Sequence, residues 1–115
     1  MIIPNAEQAI IDIRKLHDYC LNVQHRVGRH KARLFAALLD MHQEDAEALH
    51  AILLQTVCTH DAIEGEKDEH GQRYLLDFQL NWQERQALVR SIWNIRPSEE
   101  TPRLVTCYPI KETGS

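Results

Sequence analysis

Between His25 and Arg33 the chain reads His-Arg-Val-Gly-Arg-His-Lys-Ala-Arg, which sets two imidazoles among four fixed cations. Imidazole titrates near neutrality and can move a proton, while Arg and Lys stabilise the charge that develops on a phosphorane. Metal-free RNA cleavage needs those parts. Its imidazoles, His25 and His30, are candidates for proton transfer, and its cations, Arg26, Arg29, Lys31 and Arg33, are candidates for holding a polyanion. A solvated basic helix end has the same composition, and spacing alone does not choose between the two.

Further candidates lie near the C-terminus. Arg90 interrupts a run rich in Val, Ile and Trp, and Arg is seldom buried in such a setting unless it is paired. It either serves a site, or lies on the open face of a sheet, or pairs with an acid such as Asp77. Thr106 and Tyr108 share a strand face, where two hydroxyls can orient a phosphate, although both residues are also ordinary strand formers. Other chemistries find no support. His17, His42, His50, His60 and His70 lack the paired helical spacing of a zinc site. Ser91 and Ser98 lack the glycines of a nucleophile elbow, and no Gly-rich loop is present to cradle phosphate. No cofactor is expected.

The elements that must position these residues follow from periodicity. Ile10, Ile11 and Ile13 suit a short strand or a helix start, and Ile13, Leu16 and Cys20 with Tyr19 suit a short amphipathic helix reaching Leu21. After a loop over Asn22–Val27, a helix is predicted over Arg29–Leu39, with Ala32, Phe35, Ala36 and Leu39 on one face. The cations of the box then fall in its first turns, where they oppose the helix dipole. A third helix is expected from Gln43 to Cys58, led by Glu44, Asp45 and Glu47. Strands follow over Tyr74–Leu80, Ala87–Arg96 and Leu104–Tyr108, with His60–Glu66 as a further candidate before a turn at Glu69-His70-Gly71. Which parity of the middle strand faces the core is open: Val89, Ser91 and Trp93, or Arg90, Ile92 and Asn94. Helices followed by sequential strands give an α+β fold, with two to three N-terminal helices on one face of a three- to four-stranded antiparallel sheet. Residues 1–110 are read as a single domain, and Lys111–Ser115 as a frayed tail.

Composition sets outer bounds. The chain has 115 residues, 43% of them hydrophobic and 26% charged, which suits a domain that folds without metals or disulfides. Cys20, Cys58 and Cys107 show no ligand spacing and are expected as reduced core or half-buried thiols. A net charge of −4 argues against a whole-surface nucleic-acid binder. Its distribution is uneven: no acid lies between Asp18 and Asp40, whereas 44–69 carries eight acids against Lys67 alone. No apolar run is long enough for a bilayer span, and the N-terminus lacks a signal-peptide pattern, so a cytoplasmic protein is expected.

Several stretches resemble a bacterial family of about this length, a domain of unknown function. They are Ile3-Pro4-Asn5-Ala6, the run from Lys15 to Asn22, His25, the box Gly28-Arg29-His30-Lys31-Ala32-Arg33-Leu34-Phe35, Val89–Trp93 and Pro102–Pro109. The family commonly places Pro after the first His, where Arg26 stands here. Its members occur as small stand-alone proteins and as C-terminal modules of large toxin or phage proteins, which implies a toxin-like effector. The order of elements is also similar to the barnase, EndoU, colicin and RelE group of metal-independent ribonucleases. That likeness implies His25, His30, Lys31, Arg90 and Thr106 as catalytic residues. The partners implied are RNA and a small neutralising protein. The rival expectation is a non-catalytic module, an antitoxin or immunity-type partner, whose box docks on an acidic surface. The sequence pI of about 5.9 suits the rival.

Overall fold

Side chains that alternate in and out along three consecutive stretches build an antiparallel meander, and the helices that precede it cover one face. A computed structural model describes residues 1–110; the tail expected at Lys111–Ser115 lies outside them. A single α-helical turn, α1 (Ile13–Lys15), runs directly into a π-helical turn over Leu16–Cys20. Two longer helices follow, α2 (Arg29–Leu39) and α3 (Ala46–Thr59). The strands are β1 (Ile63–Asp68), β2 (Gly71–Trp82), β3 (Arg85–Ile95) and β4 (Arg103–Pro109), in the order β1-β2-β3-β4 and all antiparallel. This is the α+β architecture expected. No helix among the described residues is long and apolar enough to cross a membrane.

Strand register decides which parity of β3 faces the core. Tyr74 pairs with Trp93, Leu76 with Ser91 and Phe78 with Val89, and all six are buried. Arg90, Ile92 and Asn94 therefore stand on the other, half-exposed face, opposite Asp77, Leu75 and Arg73. The buried face meets Phe35 and Leu39 of α2, Leu49, Leu53 and Val57 of α3, and Leu16 and Cys20 of the π turn in one core. Trp93, fully buried, is among its largest side chains. A polar device holds it in place: its indole N–H donates to the Ser91 hydroxyl at 2.9 Å, which donates to the Leu76 carbonyl at 2.8 Å.

Local chemistry explains the boundaries. Helix α2 ends at Asp40, which adopts the left-handed conformation with φ 52°; its N–H donates to the Ala36 carbonyl while that of Met41 reaches the Phe35 carbonyl. The next helical segment opens with a capping box between His42 and Asp45. Gly71 opens β2 at φ 129°, and a Cβ there would run into the Ile95 carbonyl oxygen, so a side chain at this position would strain the turn and push the backbone aside.

Four expectations need adjustment. Ile10 belongs to neither a strand nor a helix: it makes an isolated parallel bridge to Arg103, its N–H donating to the Pro102 carbonyl at 2.9 Å and its carbonyl accepting from Leu104 at 3.0 Å. Ile13, expected on an inner helical face, is exposed, because the helix widens to i→i+5 bonding, with the Leu21 N–H on the Leu16 carbonyl at 2.9 Å. Strand β1 begins at Ile63 rather than His60, since the Ala62 N–H is taken by the Met1 carbonyl. Cys58 is exposed, while Cys20 and Cys107 are buried as expected.

Candidate functional site

The cationic box sits where the loop after the π turn enters α2, and His25 shapes that entry. Its Nδ1 accepts the backbone N–H groups of Val27 at 3.0 Å and Gly28 at 2.9 Å, while its carbonyl accepts that of Arg29 at 3.1 Å. Nδ1 is therefore the lone-pair nitrogen and the ring proton sits on Nε2. The imidazole also packs edge-on against Tyr19, with ring centroids 4.9 Å apart. Gly28 lets the turn close on the same tyrosine, since a Cβ at that position would lie 2.8 Å from the Tyr19 carbonyl oxygen and 2.9 Å from its ring. The turn and the π helix thus lock together around Tyr19.

The remaining box residues divide. Arg26, His30 and Arg33 are exposed, and Arg29 folds its guanidinium back to donate to the Arg26 carbonyl at 2.8 Å. Lys31 turns toward the sheet. Its ammonium lies 4.7 Å from the centroid of the Tyr108 ring on β4, a cation–π contact that leaves its charge uncompensated by any carboxylate in that contact. Lys31 also lines a cavity of about 480 Å³ together with Lys15, Tyr19, Val105 and Thr106. No acidic residue is among those lining groups.

Thr106 and Tyr108 meet different neighbours. A bulge in β4 at Val105 shifts the register against β3 between Ile92 and Trp93. Thr106 is buried, with its hydroxyl 4.0 Å from the Cys20 sulfur. Tyr108 stands opposite Arg90. Arg90 itself makes a bidentate ion pair with Asp77, at 2.9 Å from Nε and 3.0 Å from Nη2, with about a third of each side chain exposed. Its pKa is raised first by that carboxylate and further by the Tyr108 hydroxyl. The pairing with Asp77, one of the alternatives open from the sequence, is the one realised, and Arg90 does not line the cavity.

The structure therefore brings Lys31 and Thr106 to one cavity and joins His25 to it through Tyr19, whereas Arg90 stands outside it, opposite the Tyr108 on which Lys31 rests. His30, Arg26 and Arg33 remain outside it. Lys15 and Tyr19 are lining residues that sequence reasoning did not single out. Their i, i+4 spacing puts them on one side of a helical turn, but nothing in the sequence says that this side meets β4.

The fold is similar to that of a chain in a contact-dependent growth inhibition toxin–immunity protein complex from Klebsiella pneumoniae 342. The two share 15% identity over 88% of this chain and 99% of that one, with a TM-score of 0.63, a likeness of fold. No curated protein matches the sequence. A family model does match residues 2–111, almost from end to end, and the chain belongs to the domain-of-unknown-function family DUF6883.

Proposed function

We propose that this chain is the effector of a bacterial toxin system and cleaves RNA without a metal, at the cavity beside β4. The observation that carries the reading is that Lys31 and Thr106, far apart in sequence, line one cavity with Lys15 and without a carboxylate. Two lysines lining a recess that no acid lines favour a phosphodiester over a cationic or neutral ligand. Here Lys31 and Lys15 hold the scissile phosphate and Thr106 orients it. A 2′-hydroxyl attacks phosphorus, the 5′-oxygen leaves, and a 2′,3′-cyclic phosphate results. His25, whose Nε2 carries the ring proton, gives a proton to the leaving oxygen, and His30, exposed beside the cavity, turns toward bound RNA to take the hydroxyl proton. Arg90, held by Asp77, acts as a positioning residue for Tyr108 rather than as a phosphate ligand. The fold shared with a chain of a toxin–immunity complex supports placing the protein in such a system.

A second reading, an immunity-type partner, is favoured by the hairpin at the opposite edge. All six residues of β1 are exposed, and they include Glu64, Glu66 and Asp68. One experiment separates the readings. The wild type and a His30→Ala/Lys31→Ala variant are expressed in bacteria, and growth and total RNA are followed. The purified proteins are then incubated with RNA in the presence of a chelator. The effector reading expects slowed growth and chelator-resistant cleavage ending in cyclic phosphate, with the variant weaker by about 10²–10³-fold. Normal growth and intact RNA with the wild type, in the absence of any partner, would discard it in favour of the immunity-type reading.

A further inference from the structure

A second recess, of about 220 Å³, shares Lys15 and Val105 with the first cavity, so the two adjoin at the β4 bulge. The function proposed above does not use it. Strand register builds one side: Arg103 of β4 stands opposite Asn94 of β3 and bridges to Ile10, and all three line the recess. Arg96, just past the end of β3, lines it as well.

Its charge is cationic once pairing is counted. Lys15, Arg96 and Arg103 line it against a single acid, Asp12. That carboxylate is already spent on Arg14, which donates to it from Nε at 3.1 Å and from Nη2 at 2.8 Å. The two arginines share one acid: Arg96 Nη1 donates to Glu99 Oε1 at 3.3 Å, and Arg103 donates to Oε2 from Nε at 3.2 Å and Nη2 at 3.0 Å. One carboxylate offsets one guanidinium and holds both in place, so a positive charge of the pair is left over. Among the described residues Lys15 makes no ion pair. Held guanidiniums with charge to spare suit phosphate, since less side-chain freedom is lost when it binds.

We propose that this recess is a phosphate subsite, which takes the phosphate of the nucleotide adjoining the scissile bond on Arg103 and Arg96, with Lys15 set between the two phosphates. The inference rests on reading the first cavity as the seat of a phosphodiester. A nucleic-acid strand carries a phosphate at every nucleotide, so a strand held at Lys31 and Lys15 presents the next one beside Lys15. The preferred substrate is then an RNA strand with consecutive phosphates, entering with one polarity.

The test is an NMR titration of the nitrogen-labelled full chain with uncleavable 2′-O-methyl dinucleotides. One probe has the internal phosphodiester alone, and two others add a terminal phosphate at the 5′ or the 3′ end. One terminal phosphate should tighten binding about tenfold and shift the Arg103 Nε signal. Arg96→Gln/Arg103→Gln should lose that gain while binding the plain dinucleotide as the wild type does, which also reports an intact fold. If this variant does not fold, Glu99→Gln decides: with both guanidiniums kept and their shared acid gone, the gain should grow, and no growth overturns the subsite. It is also overturned if neither terminal phosphate helps, if both help equally, or if the gain survives in the double variant. Failure of the underlying reading looks different. A plain dinucleotide that does not bind removes the first cavity as a phosphodiester site and the subsite with it, whereas the expected gains with unmodified RNA left intact keep the subsite and remove only cleavage.

Discussion

Ser91 shows how much a single buried hydroxyl can decide. It is fully buried, donates to the Leu76 carbonyl and accepts the indole N–H of Trp93, so it satisfies the one polar atom of a core tryptophan. Replacement by Ala removes that acceptor and strands a buried N–H. Urea denaturation of Ser91→Ala should show a loss of about 1–3 kcal/mol. Putting Phe at position 93 as well removes the orphaned donor, so Ser91→Ala/Trp93→Phe should lose less than the two single changes added together. Arg90 is the complementary case on the opposite face. Its alternation with Trp93 was legible in the sequence, but the choice of Asp77 over a ligand follows from cross-strand register, which sets the two residues directly opposite.

At the scale of elements, the entry to α2 is held by features that propensity does not show. The helix carries cations in its first turn, has no acid there, and receives no side-chain cap at Gly28. His25 compensates by accepting two N–H groups of the preceding turn, much as an Asx side chain does. His25→Ala should therefore cost about 1 kcal/mol, with part recovered in His25→Asn, whose carbonyl can accept the same donors. Gly28→Ala should cost about 1–3 kcal/mol, because the added methyl meets the Tyr19 backbone rather than a side chain that can swing away. Equilibrium denaturation of the three variants measures both effects. A loss confined to His25→Ala, with Gly28→Ala unchanged, would mean that the turn is free to shift away from the π helix.

Over the whole molecule, charge is arranged in local pairs more than in one field. Asp12 is held below the usual carboxylate range by the Arg14 guanidinium, Asp40 by His42, Asp68 by the backbone N–H of His70, and Glu99 by Arg103. Each is depressed in the folded state, so its contribution is present above the unfolded values of 3.8 for Asp and 4.5 for Glu and is lost as pH falls through the lower folded ones. Denaturation midpoints should be level from neutrality to about pH 5 and should drop below about pH 4. Asp12, Asp40 and Asp68 are exposed and Glu99 is half-buried, so the drop should shrink as salt is added, least in the part that Glu99 contributes. The two sheet edges are also treated differently. Strand β1 is guarded by charge and an irregular register between Glu64 and Lys67, whereas β4 is partly covered by the bridge to Ile10. That cover ends before Thr106, and the cavity begins beside it.

Periodicity alone was enough for the α+β class, for α2 to the residue, and for strands within a few residues of β2, β3 and β4, because a helical stripe and a two-residue alternation are local consequences of burying one face. The cationic box was equally plain, since charge is additive along a chain. What lay beyond local pattern was which charges converge. Lys31 meets Thr106, Lys15 and Tyr19 only because a π-helical turn, a register shift at Val105 and the packing of α2 against β4 coincide, and none of these has a periodic signal. The same convergence sets the Thr106 hydroxyl 4.0 Å from the sulfur of Cys20, a residue far away in sequence. Spacing along the chain gives the chemistry available, and long-range packing selects which of it shares a site.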